Sequence, residues 1–314
     1  MDVQVRLARK TDLASIIELS KGIYEGHDYL PFAFLQWLEE PKRRVIVAEK
    51  RGVVIGIRAF HIIDGGKTVV SQSLRVHPKY RGQGVSTVLI RAQLQYIQTQ
   101  FPSVVTERYT TMSNNVGRLA IQRKSVGENL VMELGLIAFY ANSIAFKVQS
   151  ESSFVNDQVR GIDATEFQKL LEDRRLDNVL EKDTLIIDWE PFKALSCNIA
   201  GGLVNKDDCL FVSKEIHSEK SIKCFSHGRL SPRVKCLHWV ATIYTENLKM
   251  LKMHIEKQLK VARLQSRKKS FIFSCFVPTC FVSDAKQFVM EEFSLQHVGF
   301  FNFNLLFFEK NFSI

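Results

Sequence analysis

Along the first half of the chain the apolar residues switch between two periods. Val3 to Ala8 alternates as a strand does, and Thr11-Asp12 then opens a helix that sets Leu13, Ile16, Ile17 and Ser20 on one face. Residues 22–31 read as a Gly- and Tyr-bearing loop, and Phe32 to Leu38 as a short helix closed by Pro41. Arg44 to Lys50 and Val53 to Ile62 are β-rich runs joined at Arg51-Gly52, a hairpin signal. After the turn at Asp64-Gly65-Gly66, Lys67 to Val76 predicts a third long strand. A helix follows over about 85–99, with Val85, Val88, Leu89, Ala92 and Tyr96 at helical spacing. Val104 to Thr111 predicts a strand, Asn115 to Lys124 a helix, and Leu130 to Phe139 an apolar strand.

Residues 149–157 are polar and Ser-rich, which places a boundary there. Beyond it a helix carries Phe167, Leu170 and Leu171. Strand-like runs follow at Thr184 to Trp189, Cys209 to Val212 and Cys236 to Ile243. A long basic helix covers about 246–264. Phe271 to Val277, a helix near 284–292 and Val298 to Phe308 close the chain. Strand and helix alternate again, so an α/β second half that is a diverged copy of the first is an open expectation, although no sequence repeat is visible.

Composition narrows the classes. The chain has 314 residues, 46% hydrophobic and 24% charged, a balance that excludes wholesale disorder. Its length calls for two cores. No apolar run reaches the roughly 18 residues of a membrane span. The best, Leu130 to Phe146, is broken by Glu133, Asn142 and Ser143. No secretory signal is visible at the start, so a cytoplasmic location and no membrane partner are expected. All six cysteines fall in the second half, as reduced core residues rather than a disulfide framework. Cys224, His227, Cys236 and His238 have the spacing of no standard zinc site, and no metal is expected.

Lys and Arg number 43 against 33 Asp and Glu, a net charge of +10. That excess suits either a polyanion or a small phosphorylated ligand. The clusters 42–44 and 267–269 read as solvated faces, and no nucleic-acid-binding signature accompanies them, so no nucleic-acid partner is expected. The segment 73–86, Ser-Leu-Arg-Val-His-Pro-Lys-Tyr-Arg-Gly-Gln-Gly-Val-Ser, carries more. A strand runs into a glycine loop that opens a helix, where successive N–H groups lack intrahelical partners and can bond phosphate oxygens. Gly82 and Gly84 permit close approach and Arg81 adds a fixed positive charge. Neither a Walker A loop nor the dinucleotide fingerprint is present.

Arg81-Gly82-Gln83-Gly84-Val85-Ser86, preceded by Val76, Pro78 and Tyr80, resembles the phosphate-binding motif of the GCN5-related N-acetyltransferases (GNAT). With the matching element order the resemblance covers about residues 3–148. It implies a GNAT fold: a mixed, mostly antiparallel sheet flanked by helices. The expected domains are 1–148, a linker at 149–160, and a C-terminal α/β domain over 161–314. The resemblance also implies acetyl-CoA as cosubstrate. The backbone of Leu74, Arg75 and Val76 would hold its thioester carbonyl and pantetheine arm. The amides of Arg81, Gly82, Gln83, Gly84, Val85 and Ser86 would take its pyrophosphate, and Asn115 would touch the pantetheine. A narrower likeness to the vertebrate histidine N-acetyltransferase group lies in residues 22–31, in Leu74-Arg75-Val76 and in 188–192 (Asp-Trp-Glu-Pro-Phe). It implies a small amine acceptor, with L-histidine the leading candidate, and substrate contacts from Tyr24, His27, Asp28 and Tyr29.

Two customary acid/base positions of the family are not filled. Gln72 stands where a base is expected, and a carboxamide cannot accept a proton as a carboxylate can. Ile121 and Gln122 occupy the neighbourhood of the usual Tyr. No catalytic residue is therefore assigned. A catalytically weak or inactive acyl-CoA-binding module remains the alternative to an active N-acetyltransferase. His77 reads as an exposed loop residue and His61 as a strand residue. For His27, Tyr24 and Tyr29, packing and substrate contact stand level. For Asp28, an Asx-turn and pairing with a substrate ammonium both account for the residue.

Overall fold

The computed structural model describes residues 3–142, 158–201, 203–213, 222–267 and 269–312. The chain forms two compact units, each drawn from separated stretches. The first comprises residues 1–109, 232–235 and 309–314; the second comprises 110–231 and 236–308. The expected linker at 149–160 lies outside the described residues up to 157, and from Val159 the chain is already in a strand.

In the first unit β1 (Gln4–Leu7) leads to α1 (Leu13–Ser20) and α2 (Leu30–Glu39). Next come β2 (Arg43–Lys50), β3 (Val53–Ile63), β4 (Thr68–Val76), α3 (Val85–Gln100) and β5 (Thr106–Met112), the last belonging to this unit up to Tyr109. The strand order is β1-β2-β3-β4-β5. Strands β1 to β4 pair antiparallel, whereas β4 and β5 are parallel, as a helical crossover requires. Two apolar clusters cover the two faces. Ile16, Leu19, Leu30, Phe34 and Trp37 pack from α1 and α2 against Val45, Val47 and Ile57. Val85, Leu89 and Ile97 of α3 pack against Ile46, Phe60 and Val69. The chain's last described residues complete this unit, with Phe312 N–H donating to Val105 O and Arg108 paired to Glu309.

The second unit adds α4 (Val116–Gln122), β6 (Glu128–Ala141), β7 (Val159–Ile162), α5 (Ala164–Glu172), β8 (Thr184–Ile187), β9 (Glu190–Lys193) and α6 (Ser196–Ala200). After these come β10 (Cys209–Ser213), β11 (Cys224–Pro232), β12 (Leu237–Thr245), α7 (Leu248–Gln265), β13 (Phe271–Pro278), α8 (Val282–Phe293), β14 (Gln296–His297) and β15 (Asn304–Asn311). Its strand order is β7-β10-β11-β12-β13-β6, and β12 and β13 are parallel with α7 between them. The path of β1-β2-β3-β4-α3-β5 therefore recurs as β7-β10-β11-β12-α7-β13.

Two local expectations are corrected, and one strand is added. The run 184–189 is not one strand. It ends at Ile187, and Asp188 and Trp189 (φ 44 and 75) turn the chain into β9, where a Pro-containing strand pairs back. The run 298–308 begins with a turn of 3-10 helix at Gly299–Phe301 before β15 starts. No strand is expected at β11, whose Ser226, His227 and Arg229 interrupt any apolar pattern. Ser226 and His227 are buried and Arg229 half-buried, and each meets a partner from another element. Asp208 takes His227 Nε2 (2.9 Å) and Arg229 Nε (2.8 Å), and Ser226 Oγ meets His254 Nδ1 (2.8 Å) and Gln258 Nε2 (3.0 Å). A Cβ at Gly228 would lie 2.7 Å from the Trp239 ring, so only glycine fits under α7.

The polar chain Trp239–Gln258–Ser226–His254 is wholly inside the second core. Burial, with Lys257 nearby, pushes the His254 imidazole down to about 3. Its folded value lies below the unfolded one. Below about pH 6.5 the unfolded chain therefore takes a proton that the folded chain refuses, and stability falls with pH until about pH 3. Between pH 7 and pH 5 this residue alone accounts for about 2 kcal/mol. Urea unfolding of His254→Gln at the two pH values is expected to show a smaller loss than the parent protein by about that amount.

Candidate active site

The strand that shapes the site is β4. Its register against β3 runs Ile57 opposite Arg75 and then Ala59 opposite Gln72, so β4 carries one surplus residue. Ser73 absorbs it with φ 55, a left-handed backbone unusual for serine. The bulge reverses the facing pattern. Ser71 points to α3, while Ser73 and Arg75 point to the side of α1 and α2. Pairing of β4 with β5 ends at Val70 opposite Arg108, while β4 continues through residues 71–76. The last six residues of β4 thus have no ladder partner in β5, although the Ser71 side chain still reaches Glu107.

At the end of β4 the chain passes through His77-Pro78-Lys79-Tyr80 into the glycine loop. Gly82 and Gly84 are left-handed, with φ 73 and 79. Arg81 Nε donates to Val76 O (3.1 Å) and Gln83 Nε2 to Lys79 O (2.9 Å), so the loop is braced by its own side chains. Among the described residues no backbone acceptor meets the N–H groups of Gly82, Gln83, Gly84, Val85 or Ser86, and residues 81–84 are exposed. Gly84 is the N-cap of the 16-residue α3 and provides no side-chain cap. Of the six amides the sequence motif singles out, Arg81 N–H is taken by Pro78 O (3.3 Å) and the other five have no backbone acceptor among the described residues, an arrangement that suits an anion.

The loop 22–31 folds on the other side of β4. Asp28, fully buried, binds Arg75 through two hydrogen bonds of 2.7 and 3.0 Å, and its Oδ1 accepts the Leu30 N–H (3.2 Å) in an Asx-turn. Its carboxylate is therefore engaged by Arg75. The expectation that Asp28 meets a substrate ammonium gives way to a positioning role. Burial opposes the charge on Arg75, but Asp28 with the phenols of Tyr24 and Tyr29 outweighs it, and the guanidinium holds its proton more tightly than usual. The Arg75 guanidinium lies 5.7 and 5.3 Å from the two ring centroids. Tyr29 Oη shares a 2.7 Å hydrogen bond with Ser73 Oγ, and burial pushes its phenol up to about 12. Tyr24 and Glu25 are both left-handed (φ 50 and 53), backbone strain of about 1–3 kcal/mol each that the surrounding contacts must hold.

Residues 232–235 belong to this unit and were not anticipated by sequence reasoning. Val234 N–H donates to Asp28 O and Lys235 N–H to Gly26 O, both at 3.0 Å, and the Arg233 guanidinium lies 5.0 Å from the Tyr29 ring centroid. No local signal could have found them, because they lie some 200 residues away in the chain. Gln72 is half-buried in β4, and its Nε2 has no hydrogen-bond partner. Asn115 belongs to the second unit, where its side chain caps α4 by accepting the Arg118 N–H and donates to Thr111 Oγ1, both at 3.1 Å. A buried network of Arg58, Ser71, Gln93 and Glu107 fixes α3 to β3, β4 and β5, with Arg58 Nη2 at 3.0 Å from Glu107.

The second unit lacks the corresponding features. Only Glu246 and Asn247 join β12 to α7, and Asn247 caps the helix by accepting the Met250 N–H. The parallel pairing of β12 with β13 extends over six residues, Leu237–Thr242, rather than three.

A bulged fourth strand parting from the fifth and an uncapped glycine loop opening the following helix lie in the part of the chain that is similar to the GNAT acetyltransferases. Residues 12–127 match the acetyltransferase (GNAT) family, and residues 156–278 match the family described as histidine N-acetyltransferase, C-terminal. The chain is 33% identical to a histidine N-acetyltransferase of Scomber australasicus over 63% of this chain and 61% of that protein. It is 31% identical to one of Xenopus tropicalis, over 61% and 60% respectively. The chain thus spans about three-fifths of the length of the curated relatives it matches. Among solved structures, a tandem GNAT protein from the clavulanic acid biosynthesis pathway shares the fold over 98% of both chains (TM-score 0.58, 10% identity). A GCN5-related N-acetyltransferase from Sphaerobacter thermophilus does so over 99% of this chain and 96% of that one (TM-score 0.57, 11% identity).

Two outcomes are expected. At Gly82 an added Cβ meets no protein atom within 4 Å, so Gly82→Ala carries only the φ penalty of about 1 kcal/mol. It should nevertheless weaken CoA binding roughly tenfold by holding the pyrophosphate off the amides, and titration calorimetry of the parent should give one CoA per chain. Asp28→Asn leaves Arg75 buried without its counter-charge and is expected to lower stability by about 3–5 kcal/mol in urea unfolding.

Proposed function

We propose that this protein is an acetyl-CoA-dependent N-acetyltransferase whose acceptor is a small amine, with the α-amino group of L-histidine the leading candidate. The observation that carries the reading is the open row of amides from Gly82 to Ser86 at the end of a strand whose last six residues are unpaired toward β5. On this reading residues 1–148 are the acetyl-CoA-binding domain and 161–314 the C-terminal domain. The matches to the two families and the printed names of the curated relatives support it.

In the proposed reaction the free amine attacks the thioester carbonyl directly. The backbone of Leu74, Arg75 and Val76 orients the acetyl group, and the loop amides of Gly82 to Ser86 anchor the pyrophosphate, the expected Arg81 amide being taken by Pro78 O. No covalent enzyme intermediate is needed. The amine must arrive neutral and its proton must leave. Gln72 cannot take that proton, so the surroundings of the acceptor loop must disfavour the ammonium form. Burial, then Lys235 and Arg233 against the pull of Glu25, hold the His27 imidazole below its usual range there, and the same surroundings lower the proton affinity of an ammonium. Tyr29, held by Ser73 in the bulge, has the hydroxyl proton that a leaving thiolate requires.

The alternative, an acyl-CoA-binding module without turnover, is favoured by one observation: Gln72 Nε2 is a buried donor without an acceptor where a carboxylate would serve as base. Purified protein with radiolabelled acetyl-CoA and a pool of amino acids separates the two readings. Acetylated product supports the enzyme, while tight CoA binding without product supports the module. Gln72→Glu removes the orphaned donor and supplies a base, and its turnover is expected to rise by about 10²-fold. Unchanged turnover would show that the proton leaves by another route.

A further inference from the structure

We propose that the main chain of Val234, with that of Lys235, is a positioning group for the acceptor: the segment 232–235 is a strap that holds the loop 22–31 in its binding conformation and plays no part in the grip on CoA. This inference rests on the acetyltransferase reading, in which that loop meets the acceptor, and deepens it.

The first half of the loop is strained. Gly22, Tyr24, Glu25 and Gly26 have φ of 70, 50, 53 and 90, so four of the five residues 22–26 stand in the region that only glycine enters freely. His27 N–H closes this stretch on Tyr24 O at 3.0 Å. The residues that follow are held from different directions. The Asp28 carboxylate takes Arg75 and the Leu30 N–H, and Tyr29 Oη meets Ser73 Oγ. The remaining hold is on the main chain. Val234 N–H donates to Asp28 O and Lys235 N–H to Gly26 O, each at 3.0 Å. These two bonds bracket His27, so the last strained residue and the residue that holds Arg75 are fixed together.

The strap acts through its backbone. The Val234 side chain is 53% exposed, so the hold at this position comes from the amide rather than from packing. The segment is also brought in from outside, since the chain on either side of it belongs to the second unit. The glycine loop, by contrast, is braced locally, by Arg81 Nε on Val76 O and Gln83 Nε2 on Lys79 O. The shape of the acceptor loop and the shape of the CoA loop therefore depend on different bonds, and cutting a strap bond separates the two.

The test compares two variants of the full chain at this one exposed position. Val234→Ala keeps the N–H, and Val234→Pro removes it. Hydrogen exchange of residues 22–31 is expected to stay at the parent rate in Val234→Ala and to rise roughly tenfold in Val234→Pro, as the loss of one hydrogen bond allows. With acetyl-CoA and L-histidine, Val234→Pro should raise the KM for the amino acid roughly tenfold while the KM for acetyl-CoA and the calorimetric affinity for CoA stay within about twofold. A defect of the whole fold would move both cosubstrates. If Val234→Pro melts early, the α-hydroxy acid analogue of valine at position 234 replaces it, with the same expectations, because it turns the amide into an ester and leaves the side chain in place. Equal values in the two variants, or a loss of CoA affinity that matches the loss of amino-acid affinity, would overturn the proposal. Should the parent form no acetylated product from any amino acid, the transferase reading fails. The exchange of residues 22–31, set beside the CoA affinity, then decides for or against the strap.

Discussion

The surplus residue in β4 governs the geometry of the whole acceptor side. Without Ser73 in a left-handed conformation, simple alternation would send Arg75 to the α3 face with Ser71. With it, Arg75 enters the space beside α1 and α2, where Asp28 and two tyrosine rings receive it. The same irregularity lies just past the last paired residues of β4 and β5, where the strand edge becomes available to a ligand. A bulge is thus the device by which one strand sends Ser71 to one face of the sheet and Ser73 and Arg75 to the other.

Holding that geometry requires restraint from elsewhere. The acceptor loop contains two consecutive left-handed non-glycine residues, Tyr24 and Glu25, and would relax if free. Three contacts oppose this: the buried Arg75–Asp28 pair, the Tyr29–Ser73 hydrogen bond, and the backbone bonds to residues 234 and 235. A buried ion pair is weak support for stability in itself, but it is exacting about position. Here that exactness is useful, because it fixes the Tyr29 ring and hydroxyl at once.

The two halves of the chain use one path of strands and helices for different ends. In the first, the connection from β4 to α3 is eight residues of loop with open amides. In the second, the matching connection is two residues closed by an asparagine cap. The α7 side of the second unit instead encloses Trp239, Gln258, Ser226 and His254 in a buried polar chain. Its tight packing, visible at Gly228, suits a structural role more than ligand binding.

What the sequence determined by itself is what short-range physics writes locally. Apolar periodicity located nearly every element of the first unit, and glycine at 82 and 84 announced a left-handed loop before a helix, because few other residues adopt that backbone. The conformation of that loop was therefore legible residue by residue. Tertiary structure alone decided the rest. Strand β11 escaped notice because its Ser226, His227 and Arg229 find their partners in Asp208, His254 and Gln258, which no local window contains. Asp28 read equally well as a turn residue or a substrate ligand until Arg75 was seen to occupy its carboxylate. Arg233 carried no signal at all, since its meaning comes from lying against Tyr29 across some 200 residues of chain. Burial and pairing between distant segments set the charge of the acceptor site, and these are properties of the packed molecule rather than of any stretch of its sequence.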